Sequence, residues 1–373
     1  MDRYIGNQRQ YFDIRFNFRE LFNPQTGFSL RTGILGKDSR TGNTIDTGVD
    51  PFMRTMPALI DIGIMGSCVH GRRGLCQHAG VECYQDGLNV RQENMALDAF
   101  RWIIDQVKDH TFQCALGGRG DPNKHEHFEE ILRYSHAHGV IPNYTTSGLD
   151  LTAREARVTA KYAGAVAVSY YRHEHTFAAI KQLIAHGVKT NIHYVLSSSS
   201  IAEASDRLKN KGFPPGINAV VFLLHKPVGL GSRDNVLSVR DERVHDFFQC
   251  ATGATYPFKI GFDSCGVPGL LKHGVPIDRR LIEPCEGARF SCYIGPDMKM
   301  TPCSFDQSMS WAVDLRRHSV QAAWDSPLFE EFRTILKDSC PECPDHADCM
   351  GGCPLIPEIT LCPDKPFNTT EKP

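Results

Sequence analysis

The sequence predicts an α/β protein built on parallel strands, with a short β extension in front and a cysteine-rich region behind. Three observations carry that expectation. Strand-like apolar runs alternate with amphipathic helical patterns six times between residues 59 and 224. The first 58 residues do not share the alternation. The 14 cysteines gather at its two ends, with Cys68, Cys76 and Cys83 early and eight between Cys285 and Cys362.

In the N-terminal stretch Phe12, Ile14, Phe16 and Phe18 alternate with polar residues, and a turn at Asn23–Gly27 leads into a second run, Gly27 to Leu35. Together they predict a β-hairpin packed on the main body. A surface for strand addition by an extended peptide is the alternative use. The strand runs that follow are Leu59–Met65, Thr111–Leu116, Val140–Thr145, Ala165–Ser169, Lys189–Leu196 and Ile217–Leu224. Between them, Phe100, Ile103, Ile104 and Val107 share a helix face, as do Phe128, Ile131 and Leu132. Further helical patterns span Arg154–Tyr162, His175–His186 and Ala202–Lys211. Gly139, Gly187 and Gly212 stand where helices should end. Such alternation implies right-handed crossovers, either in an open or partial barrel or in a doubly wound sheet.

The chain has 373 residues and carries 41 Lys+Arg against 43 Asp+Glu, with no long basic run, which argues against nucleic acid or an anionic membrane as partner. No apolar stretch is long enough to span a bilayer, and Met1–Gly6 lacks a signal peptide's apolar run, so a soluble, cytoplasmic protein is expected. In that reducing compartment the cysteines point to metal rather than disulfides.

Cys68, Cys76 and Cys83 follow the first strand directly, at the end where barrel active sites are built. Three thiolates leave one iron of a 4Fe-4S cluster without a protein ligand. A zinc site completed by His70 or His78 is the alternative. Polar or glycine residues close the later strands: Gly117-Gly118-Arg119, Thr145-Thr146-Ser147, Ser169, and Asn191 within strand five. The C-terminal pattern runs Cys285-x6-Cys292-x10-Cys303, then Cys340-x2-Cys343-x5-Cys349-x3-Cys353-x8-Cys362. Eight thiolates suffice for two further 4Fe-4S clusters, or for two four-coordinate zinc sites.

These motifs, in this order, resemble the radical S-adenosylmethionine superfamily joined to a SPASM extension, the type that acts on peptides and proteins. The resemblance implies a partial (β/α)6 barrel over 59–275, an N-terminal β extension over 1–58 and a C-terminal iron–sulfur domain over 276–373. It further implies S-adenosyl-L-methionine as cofactor, with Gly117 and Gly118 cradling its amine, Ser169 and Asn191 facing ribose or carboxylate, and Tyr84 as the loop aromatic. Three 4Fe-4S clusters follow from it. One would be held by Cys68, Cys76 and Cys83, a first auxiliary cluster by Cys285, Cys292, Cys303 and Cys353, and a second by Cys340, Cys343, Cys349 and Cys362. Were Cys292 not a ligand, the first auxiliary cluster would have an iron open to a substrate sulfur. The sequence departs from the family in its C-x7-C-x6-C loop, with Glu82 before Cys83, in Arg119 where a Glu is usual, and in Met298 where a Gly is usual.

The implied activity is oxidoreductase chemistry: reductive cleavage of S-adenosylmethionine gives a 5′-deoxyadenosyl radical that takes hydrogen from a peptide or protein substrate. A thioether or other crosslink in a ribosomally made peptide is the leading outcome. Formylglycine formation, as in sulfatase maturases, and peptide epimerisation are the alternatives; Ser304 rather than Asp after Cys303 counts against the former. A non-enzymatic iron–sulfur electron carrier or zinc protein is the reading from a different class. A flavodoxin- or ferredoxin-type electron donor is the expected partner. For the second stage of chemistry the candidates are Cys265 as hydrogen-atom donor and Asp263 as base, set against the reading of Cys265 as inert packing. Cys114 and Cys250 read as core.

Overall fold

In the computed structural model, which describes residues 3–5, 7–78, 80 and 82–365, the chain begins with a small antiparallel sheet. Its strands β1 (Arg3–Ile5), β2 (Gln8–Asp13), β3 (Phe18–Phe22) and β4 (Ser29–Arg31) pair in chain order, and β5 (Leu35–Lys37) pairs with β6 (Thr44–Asp46). The hairpin turn falls at Asn23–Gly27 as the sequence suggests, joining β3 to β4. The alternation from Phe12 to Phe18 is not one strand. Residues 14–17 form a turn, with Asn17 at φ 53° and Ile14 exposed, because the Asp13 carboxylate accepts from the Phe16 amide and ties to Thr55 instead. This sheet closes the N-terminal end of the barrel. Arg9 donates to the carbonyls of Lys108, Thr111 and Gly139. Arg54, buried, pairs with Glu20 at 2.8 Å and lies 3.8 Å over the Tyr11 ring.

The main sheet starts with β7 (Leu59–Met65), β8 (Gln113–Gly118), β9 (Ile141–Thr146), β10 (Val166–Ser169), β11 (Thr190–Leu196), β12 (Ala219–Leu224) and β13 (Lys259–Phe262). Each pairs in parallel with its successor. Strand order never reverses along these seven, which is the order of a barrel and excludes the doubly wound alternative. Short α1 (Leu75–His78) lies in the first loop. The crossover helices are α2 (Leu97–Val107), α3 (Phe128–Ala137), α4 (Ala153–Tyr162), α5 (Glu174–Ala185), α6 (Ile201–Lys209) and α7 (Glu242–Gly253). Phe100, Ile103, Ile104 and Val107 of α2 are all fully buried. Each such side chain contributes about 1.5–3 kcal/mol by leaving water. Helix α4 starts in a capping box, Thr152 accepting from the Glu155 amide while Glu155 accepts from the Thr152 amide. Gly139 and Gly187 take the left-handed conformation past α3 and α5 (φ 74° and 75°). After α6 it is Lys211, φ 53°, and not Gly212 that does so.

Behind α8 (Val267–His273), strand β14 (Ser291–Ile294) pairs in parallel with the free edge of β7, and β15 (Lys299–Thr301) and β16 (Val313–Asp314) continue antiparallel. The cysteine-rich segment therefore extends the barrel sheet to ten strands, and one hydrophobic core runs from Met56 to Leu361 across both. Helices α9 (Val320–Trp324), α10 (Pro327–Asp338) and α11 (His346–Cys349) complete the chain. Met298, in the position where Gly is usual, adopts φ 60°, so the left-handed turn is kept at the cost of strain on a side chain.

Candidate functional site

The loop after β7 forms a cavity of about 520 Å³ at the C-terminal mouth of the barrel, and Cys68, Cys76 and Cys83 all line it together with Gly71, Gly74 and Gly87. Local sequence explains the shape. The turn Gly71–Arg73 ends at Gly74, whose left-handed φ of 66° redirects the chain into α1 and sets Cys76 one residue inside it. The Gly71 amide donates to the Cys68 sulfur at 3.2 Å, and the Tyr171 hydroxyl lies 3.4 Å from the Cys76 sulfur. Gly87 passes so close to Cys68 and Cys83 that a Cβ there would come 2.9 Å from the Cys68 Cβ.

Three polar anchors hold the loop against the strand ends. His70 Nε2 lies 3.1 Å from Asp121, whose carboxylate also accepts from the Ser147 amide and hydroxyl and from Thr146. Burial alone would raise the Asp121 carboxyl, but His70 and Ser147 outweigh it and hold it below the ordinary range. Arg119 donates to the Gln85 carbonyl and Gln92, bracing the segment after Cys83, while Glu82 accepts from the Ser232 amide. His70 is thus engaged with Asp121, and His78 is exposed. Among the described residues no three His, Cys, Asp or Glu side chains converge on a single-ion position. Burial pushes the Cys76 thiol up to about 11 and raises Cys68, so loading the site would displace protons.

Below this cavity the strands present their alternate residues to the lumen. At Gly117 a Cβ would meet nothing within 4 Å, so the backbone there is open to a ligand. Gly118, at φ 110°, would drive a Cβ to 2.4 Å from the Met65 carbonyl, where β7 and β8 shift register. Ser169 ends β10 at the rim. Asn191 lies near the start of β11, toward the opposite end, where it accepts from Asn218 at 2.7 Å. In register Asn191 pairs with Ala167, two residues below the pair of Ser169 and His193. Tyr84 also turns away from the cavity and packs its ring 4.6 Å from that of Phe305.

Two lumen residues escape the sequence reading. Asp61, in β7 beside Tyr293 of β14, carries a carboxyl that burial pushes up to about 7, and burial lowers the His193 imidazole to about 4. His193 meets Thr145 at 3.4 Å. The available signal was an ionisable residue inside an apolar strand run, at the period that faces inward.

The C-terminal cysteines fall into two groups. Cys340, Cys343, Cys349 and Cys362 line one closed cavity with Lys272 and Asp345. In the second group, Gly287 lies between the Cys285 sulfur and the Pro302 carbonyl next to Cys303, and Cys353 packs with Phe305 two residues past Cys303. Cys292 is not with them. It sits on β14 opposite Ile60, fully buried in the barrel core, where the groups acting on it are Asp61 and Arg333. The strand alternation that builds β14 dictates this position, since Cys292 shares the β14–β7 sheet rather than the loop. Cys265 instead packs with Cys353 in one apolar group with Phe305 and Ile356. Asp263 is engaged as well: it pairs with the Lys226 ammonium and accepts from the Leu224 and Gly266 amides. Neither residue lines the cavity of the first three cysteines. Cys114 is fully buried in the core, with Ser135 at 3.3 Å, and Cys250 packs against that core.

The fold and these thiol groups define a partial α/β barrel fused to a multi-thiol metal-binding region. The SPASM family, an iron–sulfur cluster-binding domain, matches residues 285–350. In structure the chain is similar to SuiB of Streptococcus suis, at TM-score 0.65 and 14% identity, covering 96% of this chain and 100% of that one. The same protein bound to its precursor peptide SuiA gives 0.64 and 14%, covering 95% and 96%. Native anSMEcpe with bound AdoMet gives 0.58 and 15%, covering 83% and 92%. No curated protein sequence matches the chain. At such identities the likeness is one of fold, and the family match covers a C-terminal segment alone. Among the described residues no helix is long and apolar enough to cross a membrane.

Proposed function

We propose that the protein is a cytoplasmic peptide maturase that uses S-adenosylmethionine and three iron–sulfur clusters to crosslink a ribosomally made peptide. The observation that carries this reading is the convergence of Cys68, Cys76 and Cys83 on one cavity at the barrel mouth, directly above a lumen left open at Gly117. Similar structures were solved with AdoMet and with a precursor peptide bound, which supports both ligand classes.

Cys68, Cys76 and Cys83 would hold the cluster whose fourth iron binds the cofactor, and Gly117 and Ser169 would face that cofactor. Bound there and reduced by a flavodoxin- or ferredoxin-type donor, S-adenosylmethionine supplies a radical able to take one hydrogen atom from a C–H bond. The chain's own part is positional and electrostatic. The lumen walls exclude water and hold the peptide side chain against the radical source. A crosslink requires a second hydrogen to leave as a proton and an electron. Asp61, with a carboxyl near 7, is suited to accept the proton, and the thiol-rich domain lies beside β7 to take the electron.

Anaerobically reconstituted protein, given dithionite and S-adenosylmethionine, should release 5′-deoxyadenosine. With the peptide encoded beside its gene, it should yield a product lighter by two hydrogens. No nucleoside would refute the enzyme; nucleoside with a product of unchanged mass would replace crosslinking with epimerisation.

A further inference from the structure

We infer that Cys265, and not Cys292, is the fourth thiolate of the first auxiliary iron–sulfur cluster, together with Cys285, Cys303 and Cys353. This rests on reading the C-terminal region as an iron–sulfur domain, and it concerns which residues of this chain complete the site.

Position is the first argument. Cys265 lies on the turn Ser264–Gly266 after β13, twenty residues before the thiol-rich motif opens at Cys285. The turn is fixed from both sides: Asp263 accepts from the Gly266 amide at 3.1 Å and from the Leu224 amide at 3.2 Å. Held this way, Cys265 packs on Cys353 beside Phe305, two residues beyond Cys303. Cys285 is brought to the same loop: a Cβ on Gly287 would lie 3.6 Å from the Cys285 sulfur and 3.1 Å from the carbonyl of Pro302, the residue before Cys303. Cys292 lies instead on β14, opposite Ile60 of β7, buried in the barrel core.

Charge is the second. Four thiolates on a cluster concentrate negative charge in a buried place, which is costly without a counter-ion. Lys226 provides one. It is buried, paired with Asp263, seated 4.7 Å over the Phe305 ring and close enough to Cys265 and Cys353 to feel both.

With Cys265 as ligand the cluster has no iron left open. Its role is then to carry electrons, and a substrate sulfur does not bind it directly, so the crosslink is closed without metal–sulfur ligation of the peptide.

The test uses full-length protein with Cys68, Cys76 and Cys83 replaced by Ala, which leaves only auxiliary clusters. Iron and sulfide are counted, and the dithionite-reduced electron paramagnetic resonance spectrum is recorded, for this parent and for added Cys265→Ala, Cys265→Ser and Cys292→Ala. The expected result is parental iron and spectrum for Cys292→Ala, about half the iron for Cys265→Ala, and an altered spectrum for Cys265→Ser. Thiol alkylation of the otherwise unmutated protein gives a readout that no folding defect can confuse: Cys265 should react only after iron is chelated, and Cys292 should stay unreactive while folded. Parental iron and spectrum in Cys265→Ala, or alkylation of Cys265 with clusters in place, would overturn the assignment while leaving the maturase reading intact. A parent that binds no iron would overturn both.

Discussion

The ring of Tyr84, next to Cys83 in sequence, lies 4.6 Å from the ring of Phe305, two residues past Cys303. That contact joins the loop of the first thiol group to the loop of the second. Its far side is continued by Lys226, 4.7 Å over the same Phe305 ring. The pair thus packs the loop of the first thiol group against the loop of the second, and on the proposed reading an electron would pass along it.

Phe305→Leu should keep the packing and lose the aromatic bridge. Cleavage of S-adenosylmethionine should persist while product formation falls about tenfold, equivalent to about 1.4 kcal/mol of barrel-to-cluster coupling. The ratio of 5′-deoxyadenosine to product measures this; an unchanged ratio would remove the contact from the electron path.

Asp121→Asn should loosen the first loop. The carboxylate is buried with His70, Thr146 and Ser147 as partners, and weakening such a network costs about 1–3 kcal/mol. Because the native carboxyl sits below its unfolded value, its contribution is fully present above the ordinary carboxylate range and disappears as pH falls through the lower native value. Melting temperature against pH should therefore drop less steeply at the acid end for the variant than for wild type.

For Asp61 the sign is opposite. Its carboxyl rises from 3.8 to about 7, so stability is fully present below the unfolded value and is lost as pH climbs through 7. At pH 8 Asp61→Asn should be more stable than wild type in the cluster-free protein, by up to about 4 kcal/mol, yet poorer in product formation. A variant with wild-type melting at pH 8 would contradict the burial assigned to this group.

Neighbouring glycines should separate cleanly. Gly118→Ala meets the Met65 carbonyl and a left-handed backbone, and should lose about 1–3 kcal/mol of stability. Gly117→Ala meets nothing, and should melt within about 0.5 kcal/mol of wild type while weakening S-adenosylmethionine binding, measured by calorimetry on the reconstituted protein.

The sequence by itself determined the parts governed by local spacing. Strand and helix periods placed β7 to β12 and α2 to α6 within a few residues, since burial of one helix face or a whole strand leaves its mark on neighbouring positions. The family resemblance likewise implied that Cys340, Cys343, Cys349 and Cys362 belong together, and the four line one cavity. What only the tertiary structure decided are the meetings of residues far apart in the chain. Cys265 reaches Cys353 because β13 delivers it to the barrel mouth, and Cys292 is withdrawn because β14 docks on β7. Asp61 and His193 passed unnoticed, because an inward or outward facing depends on sheet register and closure. Local periodicity records what a residue is buried with along its own element; only the packed sheet sets what faces it across the lumen.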